Sequence, residues 1–223
     1  ISKEITIAVK EGGSSDPDLN PRLRLAIQNG KGANMTKDTI ERAITKGEKD
    51  DSNFEFYTFE GYGPGGIALF IECLSDNNNR VVAAVRAIFK KFNCDLGTNG
   101  SLRFIFTRKG VFEIDKNSIS INTEELELEL IDAGIEDIET DESTIIVTCA
   151  LEDFGSVQKK LDDLKIVVTN AELKRIPNST TLLSVEDVQK VMKMIDALEE
   201  NDDVSTVFHN IEMTEELENA LEE

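Results

Sequence analysis

The sequence predicts an α+β chain of three domains: a small N-terminal helical bundle and two ferredoxin-like α/β sandwiches, one inserted in the other. Three observations predict it. Residues 1–52 read as three short helices, with Ile40, Ala43 and Ile44 recurring at helical spacing. Residues 110–178 alternate strand and helix patterns in the order βαββαβ, the ferredoxin-like order. A strand–strand–helix–strand block precedes that segment, and a helix and a strand follow it. Joined, these remnants form a second two-layer sandwich, because a four-stranded sheet needs two helices on one face. The predicted domains are therefore residues 1–52, residues 53–109 with 179–223, and residues 110–178 inserted between them. Two sequential domains, the second extended by one helix and strand, are the alternative.

The first helix is expected to end at Gly12-Gly13. The second has Asn20 as its cap and Pro21 at the first helical position. Leu23, Leu25, Ala26 and Ile27 point inward. The third starts at Thr36, with Asp38 where the helix dipole favours an anion, and Glu48 to Asn53 reads as a linker. Phe54 to Glu60 alternates as a strand, and Ile67 to Leu74 is a nearly continuous apolar strand. Between them lies Gly61-Tyr62-Gly63-Pro64-Gly65-Gly66, which suits neither helix nor ladder and reads as a tight connection. A glycine-rich loop exposes N–H groups that approach phosphate, but this one lacks the lysine and Ser/Thr of a P-loop.

The next helix runs from about Asn78 to Phe92. Val81, Val82, Val85, Ile88, Phe89 and Phe92 share one face, and Arg80, Arg86, Lys90 and Lys91 lie opposite. Leu102, Phe104 and Phe106 alternate as a strand around Arg103. Arg108-Lys109-Gly110 is predicted as a turn before a strand from Val111. The remaining elements are helices over 123–133, 151–164 and 185–198 and strands over 137–140, 143–150, 167–175 and 204–213. The acidic run from Thr123 and the tail from Glu212 read as solvated helix faces.

The chain has 223 residues and a net charge of -20, which by itself opposes nucleic acid. The distribution is uneven. Residues 76–109 hold roughly 7 basic and 2 acidic side chains, whereas residues 110–223 hold roughly 8 and 30. The anionic half therefore sets the total, and an anionic partner remains open to the other half. Arg80, Arg86, Lys90, Lys91, Arg103, Arg108 and Lys109 form the expected phosphate-contacting surface, with Arg22, Arg24 and Lys31 of the second helix as further candidates. Tyr57, Tyr62, Phe104 and Phe106 are candidate stacking residues whose simpler reading is core or strand face. The three cysteines are widely spaced and form no CxxC, and His209 is the single histidine. No nucleophile, metal or dinucleotide motif is present. The expectation is a non-enzyme with no cofactor, no metal, no small-molecule substrate and no membrane partner.

The runs NPRLRLAIQNGKGANMTKDTIERAITKG (Asn20 to Gly47), EGYGPGGIALFIECLSDNNNR (Glu60 to Arg80) and GSLRFIFTRKGVFE (Gly100 to Glu113) together resemble the YebC family. That family includes the mitochondrial translational activator of cytochrome c oxidase. The resemblance spans essentially the whole chain. It departs in reading MTKD where the family commonly has MPKD, and in lacking the family's basic leader of the form GHSKW. The resemblance implies three domains and a role in gene expression. Family members carry the label of probable transcriptional regulators and are also implicated in translation at stalled ribosomes. The expected function is a ribosome-associated translation factor that meets rRNA through the basic N-terminal half; a DNA-binding transcriptional regulator is the alternative. A shape-reading RNA binder suits the lack of a base-reading motif. The expected location is the cytoplasm, or the mitochondrion if a transit peptide preceded Ile1.

Overall fold

The structure, a computed structural model, describes residues 1–49 and 54–222. In chain order its elements are α1 (Ser2–Gly12), α2 (Pro21–Gly32), α3 (Lys37–Lys49), β1 (Glu55–Tyr62), β2 (Ala68–Ser75), α4 (Asn78–Lys91), β3 (Phe106–Asp115), α5 (Thr123–Ile131), β4 (Ile135–Thr140), β5 (Thr144–Ala150), α6 (Phe154–Asp163), β6 (Val168–Pro177), α7 (Val185–Glu199), β7 (Val204–His209) and α8 (Glu215–Glu222). The class is α+β. The described residues form two compact units, residues 1–49 with 108–174 and residues 54–107 with 175–222.

The first unit holds the sheet β4-β5-β3-β6. Strand β5 is antiparallel to both β3 and β4. Alternate residues Phe112 and Ile114 of β3 and Ile145, Val147 and Cys149 of β5 point to one face. There Leu126 and Leu130 of α5 and Val157 and Leu161 of α6 cover them, all fully buried. Helices α1, α2 and α3 close on Ile5, Ala8, Leu23, Ile40 and Ala43. Asn20 caps α2 by accepting from the Leu23 N–H at 3.1 Å, and its amide also donates to the Ala8 carbonyl at 2.7 Å. Helix α2 then meets the edge strand β6. The Asn29 amide donates to the Ala171 carbonyl at 2.8 Å and accepts from the Ala171 N–H at 3.0 Å. Gln28 donates to the Val168 carbonyl at 2.9 Å. Any side chain at Gly32 would collide with the Thr169 carbonyl.

The second unit holds the sheet β1-β2-β7. Strand β7 pairs antiparallel with β2, and α4 and α7 cover one face through Val81, Val85, Phe89, Val188, Val191, Met194 and Leu198. This sheet has three strands, not the four expected. Leu102 to Ile105 is a succession of turns, because the N–H groups that a ladder would use are bonded elsewhere. Leu102 and Phe106 instead pack with Ala68 and Phe70 on the sheet's second face. Arg175 lays its guanidinium 3.7 Å from the Phe70 ring centroid and donates to Glu72 at 2.8 Å.

Two other expectations are corrected. Arg108-Lys109-Gly110 is not a turn: β3 runs unbroken from Phe106 to Asp115. Gly110 is there for space, since a Cβ would lie 2.6 Å from the Phe154 ring and 2.7 Å from the Cys149 sulfur. The expected linker, Glu48 to Asn53, is helical through Lys49, and its remainder lies outside the described residues.

Candidate nucleic-acid interface

Helix α4 begins where Asn77 accepts from the Arg80 N–H at 3.1 Å, and Ser75 accepts from the Asn77 N–H at 3.1 Å. Val81, Val85 and Phe89 recur at spacing four and are buried, so the opposite face is turned to water. That face carries Arg86, Lys90 and Lys91, all exposed, and among the described residues none of the three has an ion pair. Lys91 sits 5.7 Å from the Phe92 ring centroid. Lys90 and Lys91 fall in the last turn, where the helix dipole favours cations.

Beyond α4 the chain passes along the outer edge of β1, where Leu96 bridges to Gly61. The segment from Gly97 to Phe104 is then gathered around one side chain. Glu60 of β1, only 5% exposed, accepts the Gly100 N–H at 2.8 Å, the Leu102 N–H at 2.6 Å and the Ser101 hydroxyl at 3.3 Å. Its own carbonyl takes the Gly97 N–H at 2.7 Å. A buried carboxylate needs such partners. Here two of the three come from loop backbone, so the carboxylate holds the loop's path. Asn178 fixes the far side, donating its amide to the Phe104 carbonyl at 3.0 Å and its N–H to the Ile105 carbonyl at 2.7 Å. What the loop presents is Arg103 with its guanidinium 4.4 Å from the Phe104 ring centroid, and a Phe104 ring that is 73% exposed. Sequence reasoning missed Glu60 and Asn178. An acidic residue in an otherwise alternating strand is the one signal that marks Glu60.

The remaining candidates divide by their partners. Arg80 is not a free cation of the α4 face. It donates to both carboxylate oxygens of Asp203, at 2.7 and 2.8 Å, and to Asp76 at 2.8 Å. Asp203, then Asp76, hold its pKa above the usual value. Arg22 pairs with Glu11, and Arg24 donates to the carbonyls of Pro17 and Asp18 at 3.1 and 3.2 Å. Lys31 is exposed at the end of α2. On β3, Lys109 pairs with Glu136 at 2.9 Å, and Arg108 is exposed. Arg22, Arg24, Lys31, Arg108 and Lys109 belong to the first unit; Arg86, Lys90, Lys91 and Arg103 belong to the second.

The connection Gly61 to Gly66 is a structural turn. Strand β1 continues through Tyr62, which pairs with Ala68. The Gly63 N–H bonds the Ile67 carbonyl at 2.8 Å, and the Gly66 N–H bonds the Gly63 carbonyl at 3.1 Å. Gly65 and Gly66 have φ of 69° and 78°, where a side chain is strained. Two of the N–H groups that phosphate would need are thus already bonded inside the turn.

The described residues contain no group of three or more His, Cys, Asp or Glu arranged to hold a metal. Cys73 and Cys149 are buried. Burial, with Asp153 and Glu136, pushes the Cys149 thiol up to about 11; burial and Asp95 raise that of Cys94. Thiols so shifted are poor nucleophiles at neutral pH. His209 is lowered by burial and accepts the Ile211 N–H on Nδ1 at 3.3 Å. Among the described residues no helix is long and apolar enough to cross a membrane.

Residues 1–50 match the family model described as the TACO1/YebC protein N-terminal domain, and residues 54–211 match that of the TACO1/YebC second and third domain. A protein of Amoebophilus asiaticus named probable transcriptional regulatory protein is 52% identical over 94% of this chain and 86% of its own length. One of the same name from Cytophaga hutchinsonii is 47% identical over 96% and 90%. The crystal structure of a conserved hypothetical protein from Aquifex aeolicus superposes with a TM-score of 0.79 at 37% identity, covering 96% of this chain and 88% of that one.

Proposed function

The chain belongs to the TACO1/YebC family, and from that premise we propose that it is a nucleic-acid-associated regulator of gene expression, acting by binding and not by catalysis. Its contact surface is the outward face of α4 with the adjoining loop: Arg86, Lys90, Lys91 and Arg103. The partner is RNA, most simply the RNA of a ribosome in the cytoplasm, where the protein promotes translation through stalled stretches. The same reading takes residues 1–52, residues 53–109 with 179–223, and residues 110–178 as three domains, with the contact surface on the discontinuous one. The observation that carries it is a row of cations with no acidic partner among the described residues, in a chain of net charge -20. Where acid is so abundant, unpartnered cations on one face suit an anion from outside.

The names of the relatives, probable transcriptional regulatory protein, favour a second reading in which the polymer is duplex DNA. Against it, the exposed amides of this helix, Asn78 and Asn79, lie in its first turn, at the end opposite Lys90 and Lys91. Titration of the full chain with single-stranded RNA and with duplex DNA across a salt series, beside sedimentation of the cellular protein on a ribosome gradient, separates the two. Co-migration with ribosomes and a preference for RNA support the first. Preference for duplex, with no ribosome association, replaces it with the second. Binding to neither ends both.

A further inference from the structure

A phenylalanine with 73% of its surface in water gains little from the hydrophobic effect. Single exposed apolar residues are ordinary on protein surfaces, but they usually sit on segments held by other means. Here the holding is local to the ring. The N–H groups of Gly100 and Leu102 are drawn onto the buried Glu60 carboxylate, and the Phe104 carbonyl is held by Asn178. Leu102 and Phe106, two residues to either side, anchor the loop by packing on Ala68 and Phe70. The fold therefore fixes the backbone that displays this ring. Its neighbour Arg103 covers it at 4.4 Å, and a guanidinium on one face of an aromatic ring leaves the other face for a second flat group.

We propose that Phe104 is a stacking surface for one unpaired base of an RNA strand, with Arg103 meeting the phosphate beside that base. The proposal rests on the RNA reading above and adds to it the chemical form of the contact: a splayed single-stranded nucleotide, not a helix backbone. Every base has a π face, so such a contact needs no sequence-reading motif, in keeping with a surface that has none. A duplex offers no unstacked base to Phe104, so the contact selects single strands, loops and ends over paired nucleic acid.

The test uses the full chain and a single-stranded RNA of about 12 nucleotides carrying one 2-aminopurine, whose fluorescence is quenched on stacking. The parent is expected to bind with quenching. Phe104→Ala should weaken binding about tenfold and lose the quench, with an unchanged salt slope and an unchanged circular dichroism spectrum. Phe104→Trp should restore both, whereas Phe104→Leu, which keeps the apolar bulk, should not. Arg86→Ala/Lys90→Ala/Lys91→Ala should lower the salt slope and keep the quench per bound molecule. If Phe104→Ala binds and quenches like the parent while the triple variant binds weakly, stacking is overturned and the RNA reading stands. If Phe104→Leu equals the parent, or Phe104→Ala loses ribosome association but keeps oligonucleotide affinity, the ring meets protein and the proposal falls. A parent that binds no RNA overturns both.

Discussion

Arg80 on α4 and Asp203, just before β7, form a two-pronged pair, with Nε and Nη2 of the guanidinium 2.7 and 2.8 Å from the two carboxylate oxygens. The residues are 123 positions apart, and the pair joins the two chain segments of the second unit. Asp203 is nearly buried, so its charge depends on this partner.

Arg80→Ala is therefore expected to lower the denaturation midpoint and leave the salt slope of the proposed nucleic-acid binding as it was. Urea unfolding and a salt titration on the same variant check this. A lower slope with intact stability would return Arg80 to the binding surface.

Glu60→Gln replaces one acceptor oxygen by a donor that faces the N–H groups of Gly100 or Leu102. Each lost bond to a charged acceptor is worth about 1.5–3 kcal/mol. The variant should lose stability of that order and release the 97–104 loop, seen as faster amide exchange at Gly100 and Leu102. Unchanged exchange would mean that Leu102 packing and the Asn178 bonds hold the loop without Glu60.

How much of this was legible follows the range of each contact. Strand β1 and helix α4 announce themselves by local periodicity and β2 by its continuous apolar run, and the Asn20 cap lies three residues from the N–H group it accepts. The alternation Leu102-Phe104-Phe106 has the strand period, yet its backbone partner is Glu60, some forty positions earlier. Arg80 shares the α4 face with Arg86, Lys90 and Lys91, yet its main partner, Asp203, lies 123 positions further along the chain. Lys109 looked like a turn residue because Gly110 follows it; the glycine makes room for Phe154 and Cys149 instead. Long-range pairing decided which cations remain available, and one sequence does not display it.

Asn29→Ala should remove both bonds to Ala171 and leave its N–H and carbonyl unpaired where α2 lies, costing about 1–3 kcal/mol. Asn29→Asp keeps the acceptor but sets a carboxylate oxygen against the Ala171 carbonyl, so it should melt no higher than Ala. Denaturant melts of the three proteins check the order. Equal midpoints would show that the apolar contacts of Leu25 and Leu23 carry α2 alone.

His209 gives a pH dependence of known sign. Its folded pKa lies below the ordinary 6.5 because burial opposes the charged ring. The unfolded chain takes up its proton first as pH falls, so the contribution is complete above about 6.5 and is lost as pH drops toward the folded value. Protonation also cancels the Nδ1 acceptor used by the Ile211 N–H. Urea midpoints between about pH 7 and 5.5 should fall more steeply for the parent than for His209→Asn. Parallel curves would assign the acid limb to carboxylates.

The clasp of α2 on β6 has a consequence for how copies of this chain behave in a crowded solution. Of the four strands in its sheet, β6 and β4 are the outer two, each a template for pairing with another chain. On β6, outward groups at Val168 and Ala171 are taken by Gln28 and Asn29, so side chains of a helix stand in for a fifth strand. On β4 the guard is charge. Asp137 and Glu139 are exposed, and two such edges brought together would set acid against acid. One rim is closed by hydrogen bonding and the other by repulsion, and the acidity that weighs against nucleic acid over much of the chain serves here to keep sheets from joining rim to rim.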